Sequence, residues 1–438
     1  MATTTDIAGE ERGRDHGLVR AMGVAAFAAA ITNEVVGSGI YRLPASMATA
    51  AGTAAPYAYL ACLVAMGAVV LCFAEAGSRV STSGGPYGYV EAAFGRCAGF
   101  VAGVLLWLSS VLAAGGVAAA LADTVGSAFP AFAAPAPRAA VVVAVLAAMT
   151  WINLIGVDLA ARVLGWATLV KLVPLALFVV VGAIGLAMGH GAAAPVENAP
   201  TAGLGRAAIL AMFALTGMET PLAASGEVRD PARTVPRALL LAMGSIGLAY
   251  VAIQLIADAL LGAGLTASRA PLADALGTID PRLRVPLLAG AFFSMLIWLG
   301  SDFLGAPRVL FAFARDGMLP PLLGRVHPRW KTPYVGILVH FLIASGLALS
   351  GTFEHLAILS TLAIAPLYAS ACAAAVVLRR RGVATLGRPL AVPGLLPIAA
   401  VGILSMAVLL TQGEWKEIVA LVGVMAVSVV LYRVMRPR

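Results

Sequence analysis

The chain has 438 residues, 61% of them hydrophobic and 11% charged, with a mean hydropathy of +0.95. A soluble domain carries roughly a quarter charged residues, so a water-soluble globular protein is excluded. The net charge of +8 gathers mostly in loops on one side of the expected spans, which argues for orientation in a bilayer and against nucleic-acid binding.

Residues 1–17 are polar and mixed in charge, with no secretory signal, and read as a cytoplasmic tail. Apolar runs then recur near 18–48, 56–80, 88–127, 138–157, 159–189, 204–227, 235–263, 284–314, 333–351, 353–378, 392–412 and 415–434. Crossing the hydrocarbon layer takes about 20 apolar residues per helix. The runs exceed the ~10-residue alternating segments of a barrel, and in lipid each segment must satisfy its own backbone. The expectation is twelve transmembrane helices. On alternate sides of these spans the Lys and Arg residues divide twenty to six, which puts both termini in the cytoplasm and the protein in the cell membrane, multi-pass. Cys62, Cys72, Cys97 and Cys372 fall in or beside spans and read as packing residues, with no disulfide or metal spacing.

Two spans are interrupted. The first carries "NEVVGSGIYRLP", Asn33 to Pro44, with Gly37-Ser38-Gly39 at its middle, and the sixth carries "FALTGME", Phe213 to Glu219. They open two successive five-helix sets, 18–189 and 204–378, which begin on opposite sides and are therefore inverted. Residues 392–434 form two appended helices. Broken helices at matching places in inverted halves point to a transporter's midplane site; the plainer reading is glycine-mediated close packing.

Four ionisable residues sit at similar depth, counting about 1.5 Å per residue from the nearest cytoplasmic arginine: Glu34, Lys171, Glu219 and Asp302. Each is expensive in lipid, by ~2.5–3.5 kcal/mol or more, so each is expected to face the protein interior.

"GSGIYRLP" resembles the first-helix signature of the amino acid–polyamine–organocation permeases. "AEAGSRVSTSGGPYGYVEAAFG" resembles that family's loop between helices two and three. "FALTGMETPLAASGEVRDPARTVPRAL" is similar to its sixth helix and following loop, and "APRVLFAFARDGMLP" to the end of its eighth. The resemblance implies an all-α membrane protein of the leucine-transporter type, with two inverted five-helix repeats plus two extra helices, working by alternating access. It implies an amino acid as small-molecule substrate, with protons or exchange rather than sodium driving transport.

Within that frame Ser38, Gly39 and Ile40, after Gly37, are expected to receive a carboxylate at a half-helix N-terminus. Carbonyls of Phe213, Ala214 and Leu215 are expected to take the α-amine, with Thr216 and Gly217 completing the second break. Lys171 resembles the fifth-helix lysine of sodium-independent members, whose amine stands where relatives hold sodium. It is expected to reach Asp302, Ser301 and carbonyls of the broken first helix, either as a titrating group or as a static ion pair. Glu219 matches an acidic position tied in the family to coupling or gating, though helix-end hydrogen bonding is an alternative. Glu34 reads as a substrate or proton contact, or as a partner for a neighbouring helix. Glu75, Glu91, Glu227 and the Arg229–Arg237 cluster are expected to latch the cytoplasmic side, His340 and His355 to be structural, and Trp298 and Phe213 to be lids or packing. A cationic amino acid or polyamine exchanger remains open as substrate class, and a non-transporting sensor or a channel as function. No nucleophile–base pair, metal spacing or phosphate loop supports an enzyme, and no cofactor is expected.

Overall fold

The computed structural model describes residues 22–37, 39–80, 85–155, 158–192, 194–196, 203–222, 228–384 and 388–435. Ser38, Glu227 and the 1–17 tail lie outside the described residues. Among those described, the long elements are all helices, as a bilayer demands of a chain whose backbone cannot bond to water.

Helices α1 (Val24–Val35) and α2 (Gly39–Ala51) meet at a bend of 46° and form the first, broken span. They are followed by α3 (Ala55–Arg79), the short α4 (Gly85–Phe94), α5 (Arg96–Ala128), α6 (Pro135–Ile155) and α7 (Asp158–Ala187). The second half opens with α8 (Gly203–Leu215), which stops at Thr216 and Gly217 before the one-turn α9 (Glu219–Leu222). Then come α10 (Pro231–Leu261), α11 (Pro271–Gly277), α12 (Arg284–Arg315), α13 (Tyr334–Ser350) and α14 (Phe353–Arg380), and finally α15 (Leu395–Thr411) and α16 (Trp415–Met435).

Among the described residues eight helices are long and apolar enough to cross a bilayer, and the bent α1–α2 pair makes a ninth. The other three expected spans coincide with the shorter apolar helices α8, α13 and α15, of 13, 17 and 17 residues. Seventeen residues rise about 26 Å, a little under the ~30 Å hydrocarbon core.

The centre of the protein is built on α5 and α14. In their apolar windows 78% and 67% of residues are buried, against 11% in α16, which faces outward along most of its length. The run Ala113–Ala122 of α5 is alanine, glycine, valine and leucine and is wholly buried. Side chains this small let α13 and α14 close onto it at Gly115 and Gly116, which is how helices associate where lipid removes the hydrophobic drive. Around this centre α10 packs along α1 and α3, and α2 packs along α8, so each half of the first span is held by helices of the second half.

Charged clusters mark the two ends of the bundle. At the C-terminal ends of α3 and α14, Glu75 has no exposed surface. It accepts from Arg79, from both Nε and Nη2 of Arg379, and from the Val392 N–H at 2.9 Å. Arg379 supplies the cross-helix ion pair to Glu75, while the Arg229–Arg237 region contributes a looser Arg233–Asp230 pair at 3.8 Å. At the opposite end Arg42 of α2 donates to the Arg269 carbonyl at 2.5 Å and lies 3.6 Å from Asp123 and 3.9 Å from Glu354. Asp123 also pairs with Arg138 at 2.8 Å, and Glu354 accepts from Ser46 at 2.9 Å. In the first cluster Glu75 and Arg79 are buried and Arg379 reaches the surface, whereas every member of the second is partly exposed. All four cysteines are free thiols.

Candidate functional site

Breaking a helix frees carbonyls, and each one left unsatisfied in a dry interior costs roughly 1–3 kcal/mol. Five of them would match a sizeable part of a domain's whole stability, so they must find donors. In the first span the carbonyls from Asn33 to Gly37 all face side-chain donors of neighbouring helices, the last two sharing a single hydroxyl. Lys171 of α7 donates to the Asn33 carbonyl at 2.5 Å. The Trp298 indole of α12 donates to Glu34 at 2.8 Å, and Tyr250 of α10 to Val35 at 3.2 Å. The Ser294 hydroxyl lies 3.4 and 3.5 Å from the Val36 and Gly37 carbonyls. Tyr41 adds a return contact, its hydroxyl reaching the Lys171 carbonyl at 3.3 Å.

The second break is satisfied largely from within. Thr216 Oγ1 donates to the Phe213 carbonyl at 2.7 Å, and the Thr216 N–H reaches the same oxygen at 3.2 Å. The Gly217 N–H donates to Glu219 Oε2 at 3.1 Å, and that oxygen also accepts from Tyr368 of α14 at 2.7 Å. Gly217 has a φ of 118°, a region that side chains other than glycine's rarely adopt.

The two breaks face each other. A Cβ added at Gly217 would come 2.8 Å from the Glu34 carbonyl oxygen, and one at Gly39 would come 3.3 Å from Ala214 Cα. Between them lies a cavity lined by backbone of both breaks, by the hydroxyls of Ser109, Ser110, Thr216, Thr220 and Ser360, and by Phe213 and Trp298. Glu34, Glu219 and Asp302 complete its wall. The cavity volume is about 50 Å³, enough for a few ordered waters at about 10–15 Å³ each.

The four charges expected at midplane are all interior-facing: exposure is 5% for Glu34, 1% for Lys171, 6% for Glu219 and 4% for Asp302. Their pairing differs from the expected one. Lys171 reaches the first helix through the Asn33 carbonyl, but Ser301 and Asp302 are engaged elsewhere. The Ser301 hydroxyl donates to Glu34, which also lies within electrostatic reach of Lys171. Asp302 accepts from Ser110 on one oxygen and meets His340 Nε2 at 2.9 Å on the other. Adjacent helix positions are turned about 100° apart. Ser301 therefore faces α1 while Asp302 faces α5 and α13.

Trp298 and Phe213 both line the cavity, Trp298 over Gly37 and Phe213 edge-on to Phe353 with ring centres 5.9 Å apart. His355 is 4.0 Å from Glu417, away from the cavity. His340 is fully buried against Asp302. The sequence reading did not single out Ser109, Ser110, Ser360, Tyr250 or Tyr368. Adjacent hydroxyls at 109 and 110 in an otherwise apolar run were the one available signal. Among the described residues no group of three or more potential metal ligands occurs.

The family model for amino acid permeases matches residues 22–434. An uncharacterized transporter of Mycobacterium tuberculosis is 32% identical over 409 residues, covering 92% of this chain and 88% of that protein. The serine/threonine exchanger SteT of Bacillus subtilis is 26% identical, with 84% and 85% of the two chains covered. The branched-chain amino acid permease BcaP of the same organism is 24% identical, with 91% and 89% covered.

Proposed function

The chain belongs to the amino acid permease family, a family of multi-pass membrane transporters rather than enzymes, and from that premise we propose that it carries small neutral L-amino acids across the cell membrane by alternating access, without sodium. The observation that carries this reading is the cavity where the two helix breaks meet, with hydroxyl-bearing walls and little volume. The N-terminal end of α2, at Gly39 and Ile40, offers N–H groups and the positive end of a helix dipole to the carboxylate. Ser38 belongs to this proposal from the sequence alone. Carbonyls of Ala214 and Leu215 receive the amine, since Thr216 already occupies that of Phe213. The exchange of serine and threonine by a relative is in keeping with a compact, hydroxyl-lined pocket.

The segments 18–189 and 204–378 act as inverted repeats, with both termini cytoplasmic, and the Glu75 and Arg42 clusters close the inner and outer mouths. Lys171 stands in for a metal cation: its ammonium holds the broken first helix by a carbonyl and balances Glu34. Glu219 braces the second break through Gly217 and Tyr368. A cationic amino acid or polyamine would be drawn by the three acids, but each of these already accepts hydrogen bonds from the protein.

Counterflow of labelled amino acids into proteoliposomes, with sodium absent, tests the reading. Serine, threonine, alanine and glycine are expected to exchange, and arginine, lysine and putrescine to exchange far more slowly. A preference for the cationic compounds, or a rise in rate on adding sodium, overturns it.

A further inference from the structure

Asp302 and His340 form a pair that the binding of a zwitterion does not require. Asp302 sits in the cavity wall, so one face of its carboxylate meets whatever fills the cavity. Its Oδ1 accepts from Ser110 on α5, and its Oδ2 lies 2.9 Å from Nε2 of His340 on α13. His340 has no exposed surface. It is packed edge-on to Phe303 and to Trp107, with ring centres 4.8 and 6.5 Å apart. Its second nitrogen, Nδ1, is buried with no hydrogen-bond partner among the described residues.

That last observation separates two roles. A structural histidine is normally fixed at both nitrogens, because the partner of one sets the tautomer that serves the other. Here one nitrogen meets a carboxylate and, among the described residues, none hydrogen-bonds the other, so no second neighbour commits the ring to a single protonation state. Through Nε2 the ring shares a hydrogen bond with a carboxylate in the cavity wall, so a proton that reaches Asp302 has a second site beside it. Lys171, in contrast, is tied to the backbone of the first break.

We infer that Asp302 and His340 are the proton-carrying pair of this transporter, loaded through the cavity and discharged through it. With the cavity open outward, a proton from outside water passes to Asp302 and is shared with His340. The substrate then binds against a wall with one negative charge fewer. After inward opening the substrate leaves, and the same proton returns to cytoplasmic water. Other groups bear on the pair. Glu34 and Lys171 lie across the cavity on α1 and α7, Glu219 on α9, and Arg308 on the same helix as Asp302, donating to the Phe303 carbonyl at 2.9 Å. Each of these has protein partners of its own. The inference rests on the transport reading above and names its driving ion.

The test uses full-length protein in proteoliposomes, comparing wild type with His340→Gln, which offers an amide to Asp302 and cannot titrate. With one proton per substrate, wild type is expected to accumulate a transported amino acid about tenfold per pH unit of inward-directed gradient. His340→Gln is expected to accumulate none above the no-gradient level. Its counterflow at equal pH is expected to stay within about twofold of wild type, because His340 does not line the cavity. Substrate affinity of purified protein, followed by tryptophan fluorescence across pH, is expected to vary in wild type and to flatten in the variant. That second readout decides the matter should the variant turn over poorly. Unchanged gradient-driven accumulation in the variant, or an unchanged pH profile of affinity, overturns the pair's role. So does wild-type counterflow with no response to a gradient, which leaves the transport reading standing. Absence of counterflow for every amino acid overturns that underlying reading instead.

Discussion

The two helix breaks solve one problem in opposite ways. The first hands its loose carbonyls to Lys171, Trp298, Tyr250 and Ser294, donors drawn from α7, α10 and α12. The second keeps its bonds mostly at home, through Thr216 to Phe213 and Glu219 to Gly217, with Tyr368 as its outside support. A break stitched to three helices is fixed to the frame. One closed mostly on itself is able to shift as a unit against its neighbours. The comparison therefore assigns anchoring to the first break and movement to the second.

Removing the strongest stitch is the hardest test of that assignment. Lys171→Met strands the Asn33 carbonyl and takes away the cation that balances Glu34. Deleting one member of a buried charged set costs about 3–5 kcal/mol, so thermal unfolding in detergent is expected to fall steeply and both counterflow and gradient-driven uptake to vanish. Retained counterflow would mean that the first break does not depend on this anchor.

Gly217→Ala probes the other side. The backbone angle there costs about 1–3 kcal/mol for a residue with a side chain, and the added carbon would sit 2.8 Å from the Glu34 carbonyl oxygen. Transport is expected to drop more than stability, since a break that closes on itself can relax away from α1 in the folded protein. Equal losses in uptake and in melting temperature would erase the difference between the breaks.

Tyr250→Phe is the mildest. Its hydroxyl shares the Val35 carbonyl with the Gly37 N–H, 3.0 Å away, so its loss leaves that oxygen bonded. The expected change is about 1 kcal/mol or less, with uptake close to wild type. A large loss would show that the anchoring is cooperative rather than pairwise.

Much of this was legible in the sequence. Gly37-Ser38-Gly39 and Thr216-Gly217 stand out because polar and small residues interrupt runs that lipid otherwise keeps apolar. The depths of Glu34, Lys171, Glu219 and Asp302 follow from helix rise, and all four prove to be interior. Partners were not legible. Rise places a residue along the axis, whereas pairing depends on its angle around it. α12 is apolar over much of its circumference, so nothing in its pattern says which way Ser301 and Asp302 point. Contacts such as Trp298 to Glu34, 264 positions apart, arise only when helices distant in sequence pack together. The same blindness hid the contact of His340 with Asp302, 38 positions away on another helix.

Glu75 carries a consequence of its own. One carboxylate with no exposed surface gathers two guanidinium groups and the backbone N–H of Val392. A lock of that kind does not loosen by degrees. Separating α3 from α14 there means flooding a carboxylate that has been kept dry, so this end of the bundle should snap between shut and wet with little in between.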